Sequence, residues 1–204
     1  MHLARVISAI GGALHLPLVV IQPKFNELLF TALADVETQG GEWNLPRFEK
    51  SWFDRLTSQD RQGPPHGYAR FADWIAAYGK QVASSWGPWQ LMAFNAYDRG
   101  YRGRPDLLSL PEVAAIWTAL FFNSLPLTAY LSKDMRLHHK KEKPDDAVRV
   151  DLRTLSQVRY DDRLTVLAVV GDAWNTGNAA DANVPETYIK RLTCAYLKRE
   201  EEAK

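Results

Sequence analysis

The chain has a single cysteine, Cys194, in 204 residues. One thiol excludes an intrachain disulfide framework and a thiolate zinc cluster. An excess of one charge sign is also missing, because 25 Lys+Arg against 24 Asp+Glu leave a formal +1. That balance lacks the footprint of a strongly basic nucleic-acid binder, so no nucleic-acid partner is expected. No stretch reaches the roughly 18 clean apolar residues of a spanning helix, so no stable membrane insertion is expected. Internal repeats and low-complexity tracts are lacking too. At 46% hydrophobic and 24% charged residues, the composition excludes wholesale disorder. The length fits one domain or at most two small ones, with enough chain for a real core.

What is abundant is aromatic surface, with seven Trp and eight Tyr. Sugar- or base-stacking sites use such side chains, but filling a core is their commoner use. Residues Val6 to Ile21 are mostly apolar and match a signal-peptide core in length. Only Arg5 supplies charge close in front of them, His15 and Pro17 interrupt the run, and Gln22-Pro23-Lys24 offers no small-x-small cleavage site. Residues 1–22 are therefore expected to form an N-terminal helix and turn, with a targeting segment as the alternative.

Helical spacing dominates the rest. Phe25, Leu28, Leu29, Ala32, Leu33 and Val36 predict a helix from Pro23 to Glu37, stopped by Gly40-Gly41. Glu42 to Gly67 is irregular, with room for a short hairpin or a helix near Phe48 to Leu56. Tyr68 to Val82 is again helical, and a turn at Ser84 to Gln90 feeds a short helix through Asn95 and Tyr97. Ser109-Leu110-Pro111-Glu112 has the capping-box pattern and opens an apolar helix, Val113 to Phe122. Leu127 to Lys143, Leu164 to Trp174 and Pro185 to Lys198 are the remaining helices, the last carrying Tyr188, Leu192, Ala195 and Tyr196 on one face. Cys194 is expected to be a small buried residue.

Three segments carry chemistry. Glu37 ends a helix and lies within about 20–40° of Phe30 and Leu33 on the helical wheel. Partial desolvation there raises a carboxyl pKa, the condition a general acid needs for cleaving a glycosidic bond. Read alone, Glu37 is more simply a solvated carboxylate in a last helical turn. Ser85-Trp86-Gly87-Pro88-Trp89-Gln90-Leu91-Met92 joins a glycine, an amide and flanking aromatics, which read as a sugar-facing wall or as a loop packed on the core. Val170 to Asn178 ends an apolar helix in Trp174-Asn175-Thr176-Gly177, before a helix near Tyr188.

In this order the segments resemble the lysozyme-like superfamily of peptidoglycan glycosidases, in its lytic transglycosylase, goose-type lysozyme and phage-type N-acetylmuramidase branch. Val36-Glu37-Thr38-Gln39-Gly40 stands for the family's Glu-Ser-x-Gly, and Ser85 to Met92 for its Ser-x-Gly-x-x-Gln-Ile-Met loop. Ala93-Phe94-Asn95 and Gly100-Tyr101 follow where muramidases have Gly-Phe-Asn and Gly-Tyr. Val169 to Gly177 matches the Ala-x-x-Tyr-Asn-x-Gly turn, and Tyr188 to Leu192 the closing Tyr-Val-x-x-Val helix. The departures are Thr38 for Ser, Trp174 for Tyr and Ala93 for Gly, and residues 133–162 have no family counterpart.

The resemblance implies a mainly α, single lysozyme-like domain over 1–204, its catalytic core at 23–198, with an irregular or small β insertion after the catalytic helix. It implies cleavage of the β-1,4 bond between N-acetylmuramic acid and N-acetylglucosamine, with Glu37 as general acid and Glu49, of the Phe48-Glu49 pair, as second carboxylate. Glu42 and Asp54 stand behind Glu49, and a surface charge beside Arg47 and Lys50 is its plain alternative. Ser85, Trp86, Gln90, Phe94, Trp174 and Asn175 are the implied substrate-binding residues, with Trp89 as a further cleft aromatic. No cofactor and no metal are expected, and a monomer acting on peptidoglycan glycan strands. The place of action would be the bacterial wall, reached without a cleaved signal if the N-terminus is retained. His138-His139 diverge by about 100° on a helix and do not share an ion. Lys140-Lys141-Glu142-Lys143 reads as a solvated face. The competing class is a non-catalytic module of the same fold that binds glycan or a protein partner.

Overall fold

A computed structural model of the chain describes residues 25–38, 45–57, 70–125, 152–176 and 186–204. The expectations for the N-terminal segment, Gly40-Gly41, Glu42, the histidine pair, the basic run after it and Gly177 lie outside these residues. The described chain is mainly α, with one small three-stranded antiparallel sheet. The described residues divide into two compact units, one holding those from Glu37 to Phe121 and the other those from Phe25 to Val36 and from Phe122 to Lys204. Among the described residues no helix is long and apolar enough to cross a membrane.

In the first unit, β1 (Arg47–Phe48) leads into α2 (Lys50–Thr57), and α3 (Ala72–Tyr78) runs into a 3-10 turn at Gly79–Ala83. The helix expected to continue to Val82 thus tightens after Tyr78, where Gly79 sits at a positive φ of 54°. The chain then forms the hairpin β2 (Ser84–Trp86) and β3 (Leu91–Met92), α4 (Ala93–Asp98), a 3-10 turn at Pro105–Ser109 and α5 (Pro111–Ser124). Strand order is β1-β2-β3, with Arg47 opposite Ser85 and Trp86 opposite Leu91. Ala114, Ala115, Ile116, Ala119 and Leu120 of α5 are all buried, as an all-round apolar helix must be. The capping box at Ser109 does not form. Its hydroxyl donates back to the Asp106 carbonyl at 2.6 Å, so the side chain closes the preceding turn rather than capping α5.

In the second unit, α1 (Glu27–Thr38, whose last two residues group with the first unit) buries Leu29, Phe30, Ala32, Leu33 and Val36 at helical spacing. Asn26 caps it, accepting the Leu29 N–H on Oδ1 at 2.8 Å. The same side chain donates to the Tyr196 hydroxyl at 3.3 Å, and the Asn26 N–H reaches the Leu152 carbonyl at 3.0 Å. That carbonyl opens a 3-10 turn, Leu152–Gln157, ahead of α6 (Tyr160–Thr176). The last helix, α7 (Glu186–Glu202), buries Tyr188, Leu192 and Tyr196, and Tyr188 and Leu192 pack on α6 at Gly171. Cys194 is exposed, contrary to expectation, because two residues past Leu192 is about 200° around the helix. Arg163 of α6 pairs with Glu200 of α7 at 2.5 Å, both side chains largely buried. Arg199 grips Asp35 of α1 through Nε and Nη2, at 2.8 and 2.9 Å.

Two outcomes follow from this packing. Asn26→Ala removes the cap and the bond to Tyr196 together, and urea denaturation should show a loss of about 1–2 kcal/mol. The second concerns Tyr101, whose phenol donates to the Arg104 carbonyl at 2.6 Å. Burial first, then the nearby Asp106 carboxylate and Tyr78, push this phenol up to about 12. The folded chain therefore holds the proton more tightly than the unfolded chain. The associated stability is complete below about pH 10 and is lost as pH rises through about 12. Melting temperature should fall over that window, and Tyr101→Phe should remove part of the fall.

Candidate functional site

The hairpin is the best-built part of the sequence-nominated site. Gly87 takes φ 69° and Gln90 φ 47°, so two left-handed residues close the four-residue loop between β2 and β3. A Cβ on Gly87 would stand 2.5 Å from the Leu108 carbonyl oxygen and 2.8 Å from Ala114 Cβ. The glycine is therefore required twice, by backbone conformation and by the contact with the 3-10 turn and α5.

Gln90 folds back over the loop it closes. Its Oε1 accepts the Ser85 hydroxyl at 2.8 Å, and its Nε2 donates to the Gly87 carbonyl at 3.1 Å. One Nε2 hydrogen and one Oε1 lone pair remain for other partners. Ser85 is fully buried and also lies 3.4 Å from the Arg47 carbonyl, across the β1–β2 pairing. Trp86, Trp89 and Phe94 are 5%, 7% and 6% exposed, which makes them core residues of this unit. The Trp86 indole N–H donates to the Gln81 carbonyl at 3.1 Å, and Phe94 packs on Trp52 at 4.9 Å between ring centroids.

The sheet brings the Phe48-Glu49 segment to this hairpin, across more than thirty residues of chain. Phe48 pairs with Ser84, and the Glu49 N–H donates to the Ala83 carbonyl at 3.0 Å. The Glu49 carbonyl accepts the N–H groups of Trp52 and Phe53 and so starts α2. The Glu49 carboxylate binds Arg47 Nε at 2.6 Å, with its side chain 31% exposed. Asp54 is more open and pairs with Lys50 at 2.6 Å. Both are surface pairs of small energetic weight.

Glu37 sits half-buried in the last turn of α1, next to buried Val36, and groups with the unit that holds the sheet. Trp174 and Asn175 lie in the last turn of α6, in the other unit. Trp174 is half-buried, with its ring 6.1 Å from Phe122, and Asn175 is exposed. Sequence reasoning missed Trp52 as the ring against Phe94, Arg47 as the partner of Glu49, and the arginine-bearing turn after α4. The last had a legible signal in Arg99-Gly100-Tyr101-Arg102-Gly103-Arg104, three arginines punctuated by two glycines. Among the described residues no group of three or more His, Cys, Asp or Glu side chains is placed to hold a metal ion.

Compared with protein-family models, curated proteins and solved structures, the chain matches none.

Gly87→Ala should be among the most damaging single substitutions in the first unit. Backbone strain and the clash with Leu108 together should cost about 2–4 kcal/mol, read as a lowered urea midpoint. Ser85→Ala, which leaves Gln90 Oε1 short of its donor, should cost about 1–2 kcal/mol in the same assay.

Proposed function

We propose that the chain is a peptidoglycan glycosidase in which Glu37 is the general acid. The observation that carries this reading is the assembly in the first unit. There the Phe48-Glu49 segment is hydrogen-bonded to the hairpin that holds Ser85 and Gln90, and half-buried Glu37 groups with the same unit. Sequence order had nominated all of these residues for one site; Ser85 is a residue of the small sheet, Glu49 directly follows β1 and Gln90 directly precedes β3.

In this reading Glu37 delivers its proton to the glycosidic oxygen between N-acetylmuramic acid and N-acetylglucosamine. The C1–O bond then breaks through an oxocarbenium-like state. The fate of C1 depends on the second group. A carboxylate that activates water, with Glu49 as candidate, gives a reducing end. Attack by the sugar's own hydroxyl gives an anhydro end and needs no second carboxylate. The remaining Gln90 amide hydrogen is a polar group offered to a sugar amide.

A second reading, a glycan- or protein-binding module without catalysis, is favoured by one feature of the hairpin. Trp86, Trp89 and Phe94 are buried, and Gln90 is bonded to its own loop. These groups then support a surface rather than line a cleft.

Mass spectrometry of products from purified peptidoglycan separates the readings. Wild type should release muropeptides, and Glu37→Gln should lower the rate by about 10²–10⁴-fold with an unchanged melting curve. Loss of reducing-end products in Glu49→Gln would assign that residue as second carboxylate. A wild-type chain that binds peptidoglycan and releases nothing would support the module.

A further inference from the structure

The turn after α4 carries two guanidinium groups that no carboxylate among the described residues neutralises. Four arginines gather near it: Arg70, Arg99, Arg102 and Arg104. Asp98 pairs with Arg70, and Asp106 takes Arg104 in a two-point grip at 3.0 and 2.7 Å. Arg99 and Arg102 have no carboxylate partner among the described residues, and both are exposed. The charge is local, since Arg99 and Arg102 each disfavour the charged form of Arg70, after its own burial.

These two side chains are held rather than loose. Arg102 lies with its Cζ 3.8 Å from the Tyr97 ring centroid, and its Nη1 donates to the carbonyls of Tyr97 and Tyr101, at 2.7 and 2.8 Å. Arg99 lies over the Phe121 ring at 5.9 Å. The backbone beneath is stiff. Gly100 takes φ 105°, the Tyr101 hydroxyl donates to the Arg104 carbonyl, and the Trp74 indole donates to the Gly103 carbonyl at 3.2 Å. Helix C-capping accounts for Nη1 of Arg102. Among the described residues it leaves the Nε–Nη2 edge unused, the same edge that Arg104 gives to Asp106 and Arg199 gives to Asp35.

A planar fork pre-oriented on an aromatic face is suited to a carboxylate with two in-line oxygens. We propose that the Arg99–Arg102 turn is a binding site for the carboxylates of peptidoglycan stem peptides, with Arg102 supplying a two-point grip and Arg99 a second charge. The choice of a carboxylate-bearing glycan strand rests on the glycosidase reading above. The geometry of the turn does not depend on that reading.

The test is co-sedimentation of the full chain with purified sacculi, in a Glu37→Gln background so that digestion does not release the polymer. Three preparations are compared: sacculi stripped of phosphodiester polymers, the same sacculi with carboxylates amidated by carbodiimide and methylamine, and unstripped sacculi. Binding to stripped sacculi should weaken about tenfold on amidation, the scale of two exposed charge pairs. Arg99→Gln with Arg102→Gln should bind native and amidated sacculi equally weakly. Arg102 also supports the helix end, so Arg99→Gln alone is the folding control. Its side chain makes no hydrogen bond among the described residues, and it should lose about threefold. Equal wild-type binding to native and amidated sacculi overturns the proposal, as does no binding at all. Binding lost on stripping but not on amidation also overturns it and reassigns the turn to phosphodiesters. Muropeptide release by the wild type is scored separately. Its absence beside carboxylate-dependent binding sinks the catalytic reading alone.

Discussion

The space beside Gly87 is occupied by a backbone carbonyl, that of Leu108, and by the Ala114 side chain. Much of the first unit depends on this contact. Strands of two and three residues cannot hold a sheet by their own ladder bonds. They are held because the loop between β2 and β3 is pressed onto the 3-10 turn and the start of α5. Burial of Trp86, Trp89 and Leu91 around that contact supplies the apolar area. With the hairpin fixed, β1 has an edge to pair with, and Glu49 is placed at the start of α2. A constraint at one glycine thus reaches a carboxylate 38 residues earlier in the chain, through the paired strands.

The second unit solves a different problem, how to hold α1 in place. Asn26 binds at the helix start and Asp35 near its end, and both partners, Tyr196 and Arg199, belong to α7. The two attachments differ in kind. Tyr196 is fully buried, so its bond to Asn26 satisfies polar groups that would be costly to leave unpaired. Arg199 and Asp35 are partly exposed, so their value lies in two-point geometry more than in Coulomb energy. Glu37 extends the same helix by two residues. Its backbone position is therefore inherited from an anchored element.

Much of the helical content was legible because it is written at a period of 3.6. The buried set of α1 is the set that spacing nominates, apart from half-buried Leu28 giving way to Phe30. The hairpin was legible as a turn but not as a sheet. Two-residue strands carry no alternation, and β1 and β2 pair across residues that lie far apart in the chain. The Ser109 pattern misled because a serine hydroxyl can serve the turn behind it as well as the helix ahead, and sequence does not weigh the two. Cys194 misled because composition favours buried cysteine, whereas helix phase decides, and the phase set by Tyr188, Leu192 and Tyr196 turns it outward. For the site, sequence named Glu49, Ser85 and Gln90, and the fold puts Ser85 in the sheet with Glu49 and Gln90 at strand ends beside it. It could not foresee that Ser85 and Gln90 bond to each other, because that depends on the left-handed turn at Gln90.

The net charge of +1 shows how a sum conceals a pattern. Acidic residues on the described surface are mostly matched to a nearby cation, as in Lys50–Asp54, Glu186–Lys190 and Arg199–Asp35. Pairing of this kind cancels charge locally and leaves no field beyond a Debye length. The turn after α4 departs from the rule, because its glycine-bounded backbone crowds more arginines together than there are carboxylates to meet them. Exclusion of a nucleic-acid role from net charge alone is thus an argument about long-range attraction only. A rigid pair of guanidinium groups acts at contact distance, where donor geometry selects the ligand and total charge matters little. The constraint that builds the hairpin and the one that builds this turn are of one kind. In each, a positive-φ glycine fixes a short loop against a buried aromatic or helical neighbour, and the fixed loop then sets where a polar side chain can point.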